Sequence, residues 1–139
     1  MERTEKGQSL IDFPKDFTAV DVETTGLDAS VDELIEIAAI RIRGGKETAR
    51  FETLVNPGFE ISGFIEDLTG ITNEELLTAP GAVKCLPKFM DFVGDDVIVG
   101  HNVNFDINFI YEGLLKCGYS PIRNNFVDTL RISRRIRPD

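Results

Sequence analysis

Cysteine is scarce in this chain: Cys85 and Cys117 are the only two. They lack metal-site spacing, and two thiols make a poor disulfide framework, which excludes a stapled secreted scaffold. A reduced, cytoplasmic location is the expectation. Long hydrophobic runs are absent too. None approaches the ~18 residues that a membrane-spanning helix needs. Met1 to Asp16 is mixed and polar and has no apolar core of the signal-peptide kind, so it reads as an extension. Positive charge is short: 15 Lys and Arg stand against 24 Asp and Glu, for a net charge of −9. That argues against a protein that coats nucleic acid by neutralising many phosphates. It leaves room for an enzyme that grips a few nucleotides through metal ions. Internal repeats and linkers are absent, so the 139 residues suit a single core.

What is present is concentrated in Ala19-Val20-Asp21-Val22-Glu23-Thr24-Thr25-Gly26-Leu27. This is a short apolar strand carrying two acids near its end and breaking at a glycine. Alternation along a strand puts Asp21 and Glu23 on one face, about 7 Å apart. Two neighbouring carboxylates on a mostly buried strand repel each other and resist desolvation unless a cation compensates. Hard divalent ions with oxygen ligands are the natural compensation.

Phe17 to Glu23 reads as the first strand and Glu33 to Arg43 as the second. Gly44-Gly45 is a hairpin signal, and Glu47 to Val55 runs back as a third strand. Ser62 can cap a short helix ending at Gly70. Thr72 and Glu75 have capping-box spacing for another. Beyond Pro80-Gly81, the residues Val83, Leu86, Met90 and Val93 recur at helical spacing and should face the core, with Pro87 bending that helix or marking its early turns. Val97 to Val99 is a short buried strand, Asn104 can cap the next helix, and Phe126 to Asp128 is a fifth strand. Thr129 starts a last helix that Pro138 ends. Its segment Arg131-Ile132-Ser133-Arg134-Arg135-Ile136-Arg137 is strongly basic and reads as a solvated face. A meander followed by alternating helix and strand predicts an α/β fold, a mixed five-stranded sheet flanked by helices.

The second informative stretch is Val99-Gly100-His101-Asn102-Val103-Asn104-Phe105-Asp106-Ile107-Asn108-Phe109. A buried strand ends, a polar turn follows, and Asp106 falls in the first turn of a helix. A lone Asp there commonly serves the helix dipole. With its strand beside the first one, Asp106 would instead stand opposite Asp21 and Glu23.

DVETTGL followed by VGHNVNFDINFI resembles the DEDD superfamily of 3′–5′ exonucleases. The linking segment NPGFEISGFIEDLTGITNEELLTAPG is similar to the proofreading exonucleases of bacterial replicative polymerases. The resemblance covers Phe17 to Asp139 and implies a ribonuclease H-like fold, with residues 1–16 as an extension. It implies that Asp21, Glu23 and Asp106 bind two Mg²⁺ or Mn²⁺ ions. It also implies that Thr24, Thr25, Gly26 and Leu27 line the pocket of the terminal nucleotide, with Phe105 as a wall or stacking ring; the alternative is that Leu27 and Phe105 are simply core. His101 and Asn102 are expected among the substrate-binding residues, His101 by hydrogen-bonding around the site and ordering its turn, because in the family the catalytic histidine belongs to a third motif.

That third motif, with its histidine base and fourth acid on a last helix, is expected a few residues past Arg137-Pro138-Asp139, and the sequence ends first. Asp128, at a strand end before Thr129, reads as a capping or turn residue. Loss of a base typically costs ~10²–10⁴-fold in rate, so the 139 residues alone are expected to be weak or inactive. The lost helix also predicts an exposed sheet face prone to dimerise. The implied substrate is a single-stranded or frayed DNA 3′ end, the implied partner a DNA polymerase subunit, and no membrane is involved. The alternatives are a nucleotide-binding or polymerase-docking module without turnover, and an RNA-trimming relative.

Overall fold

The computed structural model describes residue 7, residues 9–10 and residues 14–130. Its strands are β1 (Ser9–Leu10), β2 (Phe17–Thr24), β3 (Leu34–Arg43), β4 (Lys46–Leu54), β5 (Ile98–Gly100) and β6 (Phe126–Asp128). Its helices are α1 (Gly63–Thr69), α2 (Asn73–Leu77), α3 (Ala82–Val93) and α4 (Val103–Lys116). One mixed sheet runs in the order β1-β6-β5-β2-β3-β4. The meander β2-β3-β4 is antiparallel, while β5 lies parallel to β2, and β6 parallel to β5. All five expected strands form. The sheet has six strands rather than five because Ser9 and Leu10, within the segment read as an extension, pair parallel with Phe126 and Val127.

The β2–β3–β4 hairpins follow from local chemistry. Gly44 and Gly45 take φ of 57° and 80°, the left-handed values a tight hairpin turn favours. Val20, Val22, Ile37 and Ala39 turn to one face, where they join Leu86, Phe89, Val103, Ile107 and Ile110 of α3 and α4 in the main core. A second, smaller cluster of Ile35, Ile61, Ile71 and Leu76 seats α1 and α2. Thr72 and Glu75 form both bonds of the expected capping box.

Two helical expectations are corrected. The buried stripe of α3 runs through Cys85, Leu86, Phe89 and Val93, and Val83 is 54% exposed, outside it. Burial centres on the i, i+1, i+4, i+8 ridge because Phe89 fits edge-on against Phe51 at 6.1 Å. Pro87 sits inside α3, in its second turn, as expected. It cannot supply the N–H that would reach the Val83 carbonyl, and the Tyr119 hydroxyl donates to that oxygen instead, at 2.8 Å. The cap of α4 is Asn102 in left-handed conformation (φ 61°), not Asn104. The chain is helical at Thr129 and Leu130. The rest of the expected last helix, with its basic segment and Pro138, lies outside the described residues. Among the described residues no helix is long and apolar enough to cross a membrane.

Candidate active site

Strand alternation sets the first two acids. Val20 and Val22 are buried, whereas Asp21 is exposed and Glu23 half-buried on the opposite side. Glu23 faces Glu36 across the β2–β3 ladder, and the register slips directly after it, so that Thr24 pairs with Leu34 and Ile35 is the extra residue. Such a bulge bends a strand and re-aims its side chains. Here it delivers Ile35 to the second core cluster and turns the chain out into the Thr24–Glu33 loop.

The third acid is placed by the early end of β5. Its parallel ladder with β2 spans only Thr18 and Ala19, so the Val22 N–H lies past the last strand partner on that side. A buried N–H needs an acceptor. The Asp106 Oδ2 supplies it at 3.1 Å, from the first turn of α4. Gly100 lets this happen, since a Cβ there would stand 2.8 Å from the Val20 carbonyl oxygen and 2.9 Å from Val103. Asp106 is only 6% exposed. Burial, and next the Asp21 charge, push its carboxyl up to about 8, with Glu23 adding to the rise and the Val22 N–H opposing it. Glu23 is also raised, by burial first, then by Asp21 and Glu36. The three expected acids therefore share one electrostatic neighbourhood.

Beside them lies the loop. Thr24 Oγ1 donates to the Gly26 carbonyl at 2.6 Å. Thr25 turns the other way: its Oγ1 donates to Asp32 and accepts from the Glu33 N–H. Asp32 in turn accepts from the Asp28 N–H. Gly26 is packed on that brace, because a Cβ would sit 2.3 Å from Asp32 Oδ2. Leu27 is left 87% exposed at the loop's tip.

A cleft of about 210 Å³ opens against Glu23 and is lined by Val22, Thr24, Gly26, Leu27, Ile65, Leu68, Thr69 and Phe105. Of the residues that the sequence nominates, Glu23, Thr24, Gly26, Leu27 and Phe105 thus meet at one place. Phe105 also packs against Phe109, ring centroids 4.8 Å apart and tilted by 48°, so the ring serves core and cleft together. Thr25, His101 and Asn102 do not reach the cleft. His101 is exposed, with Nδ1 3.1 Å from Thr129 Oγ1. The Asn102 N–H donates to Asp128 Oδ1, which also takes the Leu130 N–H. Asp128 is therefore a turn brace. Sequence reasoning misses Ile65, Leu68 and Thr69, since nothing local ties α1 to a strand some forty residues earlier. Only the family-like LTGIT segment hints at it. A larger cleft, about 620 Å³, runs between β4 and α3 past Arg50, Lys84 and Lys88. It shares no residue with the cleft at the acids, so donor chemistry rather than volume assigns the site.

The acids suit a hard divalent cation by donor type: all three are carboxylates, and the buried one is raised partly by the other two, a cost that a cation removes. They are not closed into a ligand cluster. No three His, Cys, Asp or Glu among the described residues are set to hold one ion, because Asp21 points to solvent and Asp106 spends one oxygen on Val22.

A family model described as an exonuclease matches residues 18–139. The chain is 42% identical over 133 residues to a PolC-type DNA polymerase III of Caldanaerobacter subterraneus, covering 96% of this chain and 9% of that protein. It is 42% identical to the DNA polymerase III epsilon subunit of Aquifex aeolicus over 122 residues, covering 88% of this chain and 60% of that one. The chain thus spans less than two thirds of these relatives. Its fold matches E. coli exonuclease I solved with a dT13 oligonucleotide, with a TM-score of 0.77 at 22% identity, over 91% of this chain and 31% of that one. Exonuclease X solved with 5′-overhanging duplex DNA matches with a TM-score of 0.67 at 24% identity, over 88% and 64%. An acid pair on β2, a third acid on α4 and a family match running from Thr18 onward agree, and the chain belongs to the exonuclease family.

Proposed function

We propose that this chain is a metal-dependent 3′–5′ exonuclease domain that trims single-stranded or frayed DNA 3′ ends in the service of a replicative DNA polymerase. The observation that carries this reading is Asp106, held on the Val22 N–H within the field of Asp21 and Glu23, with Val22 and Glu23 lining an open cleft. Residues 17–139 carry the site, Ser9 and Leu10 complete its sheet, and the domain acts in the cytoplasm.

The work of the residues follows from their positions. Leu27 and Leu68 offer apolar walls to the terminal base, and Phe105 closes the floor. Gly26 keeps the loop low enough for the sugar to lie against backbone. An unpaired 3′ nucleotide enters at less cost than a paired one, because no base pair or stack has to be broken. Asp21, Glu23 and Asp106 would hold two Mg²⁺ or Mn²⁺ ions, which in such sites lower the pKa of water and stabilise charge on the phosphate and leaving oxygen. Without a cation, burial and the Asp21 charge push the Asp106 carboxyl up to about 8, so metal binding there releases a proton and strengthens as pH rises.

The test is a 5′-labelled single-stranded oligonucleotide incubated with the chain and Mn²⁺. Stepwise shortening from the 3′ end, lost on Asp21→Ala, is the expected result. Binding of dTMP and Mn²⁺ by calorimetry with no shortening would make the chain a nucleotide-binding module instead. Shortening of an RNA strand in preference to DNA would reassign the substrate.

A further inference from the structure

The helix α1 exposes more apolar surface than the cleft uses. Leu68, on the cleft wall, is 69% exposed, and Phe64 is 73% exposed. Positions i and i+4 lie on the same face of a helix, one turn apart, so Phe64 continues the Leu68 wall outward, away from Thr69 at the cleft's inner end. The rest of the helix is occupied. Ile65 packs on the second core cluster, Glu66 accepts from the Asn73 N–H at 2.8 Å, and the Ser62 cap bonds the Ile65 N–H. Phe64 is thus a largely exposed aromatic ring held on a pinned helix. The last turn of α1 has no cation, and its first turn carries Glu66. This stripe attracts a base rather than a phosphate.

We propose that Phe64 is the stacking platform for the second nucleotide from the 3′ end, making the site a reader of at least two unpaired residues. The inference rests on the exonuclease reading and extends it. The terminal base lies between Leu27 and Leu68. The strand then leaves along α1, and the next base meets the ring one helical turn further out. Stacking tolerates any base, since each has a π-face, which suits an activity blind to sequence. It also favours frayed ends, because the penultimate base is available to Phe64 only when it is unpaired.

The experiment compares dTMP with the dinucleotide pTpT carrying a hydrolysis-resistant phosphorothioate linkage, each titrated into the chain in Mn²⁺. Wild type should bind the dinucleotide about tenfold more tightly than dTMP, the scale of one base stacked on an aromatic ring. Phe64→Ala should bind both alike, with its dTMP affinity and melting temperature unchanged, and Phe64→Trp should keep the gain. If Phe64→Ala keeps the gain while dTMP still binds, the platform is overturned and the exonuclease reading stands. If wild type binds neither ligand, the terminal pocket itself fails and both readings fall.

Discussion

The Asp106 carboxylate accepts the Val22 N–H at 3.1 Å, and this single bond joins the two sequence motifs of the site across 84 positions. It fills the ladder place that β5 leaves empty when it stops at Gly100. Structural and chemical duties thus fall on one buried acid: the Val22 N–H and a bound cation both favour its charged form, while burial and the Asp21 charge oppose it.

The Asp106 carboxyl is raised to about 8 from an ordinary 3.8, by burial first and by the Asp21 charge second. A group raised in the folded state contributes stability that is fully present below its unfolded value. That contribution is lost as pH rises through the folded value. Between 3.8 and about 8 the metal-free fold should therefore weaken steadily. Glu23 and Glu36 are raised as well and add slope of the same sign. Melting temperatures in EDTA across this range should fall for the wild type and fall less for Asp106→Asn. Added Mn²⁺ should restore the wild type near pH 8, by favouring the charged form, and raise Asp106→Asn, which keeps only Asp21 and Glu23 as ligands, by less. A flat EDTA profile in the wild type would show that the carboxyl is not held protonated.

The two glycines of the site should fail differently when given a methyl group. At Gly100 the new Cβ meets the Val20 backbone at 2.8 Å and the buried Val103 at 2.9 Å, and neither has room to retreat. Gly100→Ala should cost about 1–3 kcal/mol, as overpacked cores do, and displace the start of α4 together with Asp106. At Gly26 the clash is with the Asp32 side chain, which can swing away at the expense of its bonds to Thr25 and Asp28. Gly26→Ala should leave melting nearly unchanged and weaken dTMP binding. Chemical denaturation and calorimetry on the same two variants separate the outcomes. Equal losses of stability would refute the distinction.

His101 and Asp128 invite a comparison, because the sole histidine looks like the natural base. His101 is exposed and touches Thr129, whereas Asp128 is 9% exposed and accepts both the Asn102 and Leu130 N–H groups. Asp128→Ala strands two backbone donors and should cost about 1–3 kcal/mol. His101→Ala should reduce the hydrolysis rate by less than tenfold. A loss in the 10²–10⁴-fold range, the size expected when a general base is removed, would give the ring a direct role.

These contrasts also mark what the sequence discloses. The acid pair, the Gly44-Gly45 turn and the Thr72–Glu75 box are legible because each is a local rule with a short span. The capping box needs only four residues, and both its bonds are present. The bulge at Ile35, the shift of the α4 cap to Asn102 and the pairing of Ser9–Leu10 with β6 are not local. Each is decided by an element more than ten residues away. Asp106 lies between these classes. Its position in a first helical turn is legible, but its bond to Val22 depends on where a neighbouring strand stops. The walls at Ile65, Leu68 and Thr69 belong to the same class, since α1 reaches the cleft only through the second core cluster.

Tyr119 offers a sharper case of such long-range compensation. Pro87 removes one helical donor from α3, and the Tyr119 hydroxyl, from the turn after α4, bonds the Val83 carbonyl at 2.8 Å. Restoring the helical donor with Pro87→Ala should make this bond redundant. Tyr119→Phe is expected to cost about 0.5–1.5 kcal/mol in the wild type, the ordinary worth of one such bond, and clearly less in the Pro87→Ala background. Urea denaturation of the two single variants and the double variant closes the thermodynamic cycle. A coupling energy indistinguishable from zero would show that Tyr119 and Pro87 act independently, and that the Val83 carbonyl is satisfied by solvent in either background.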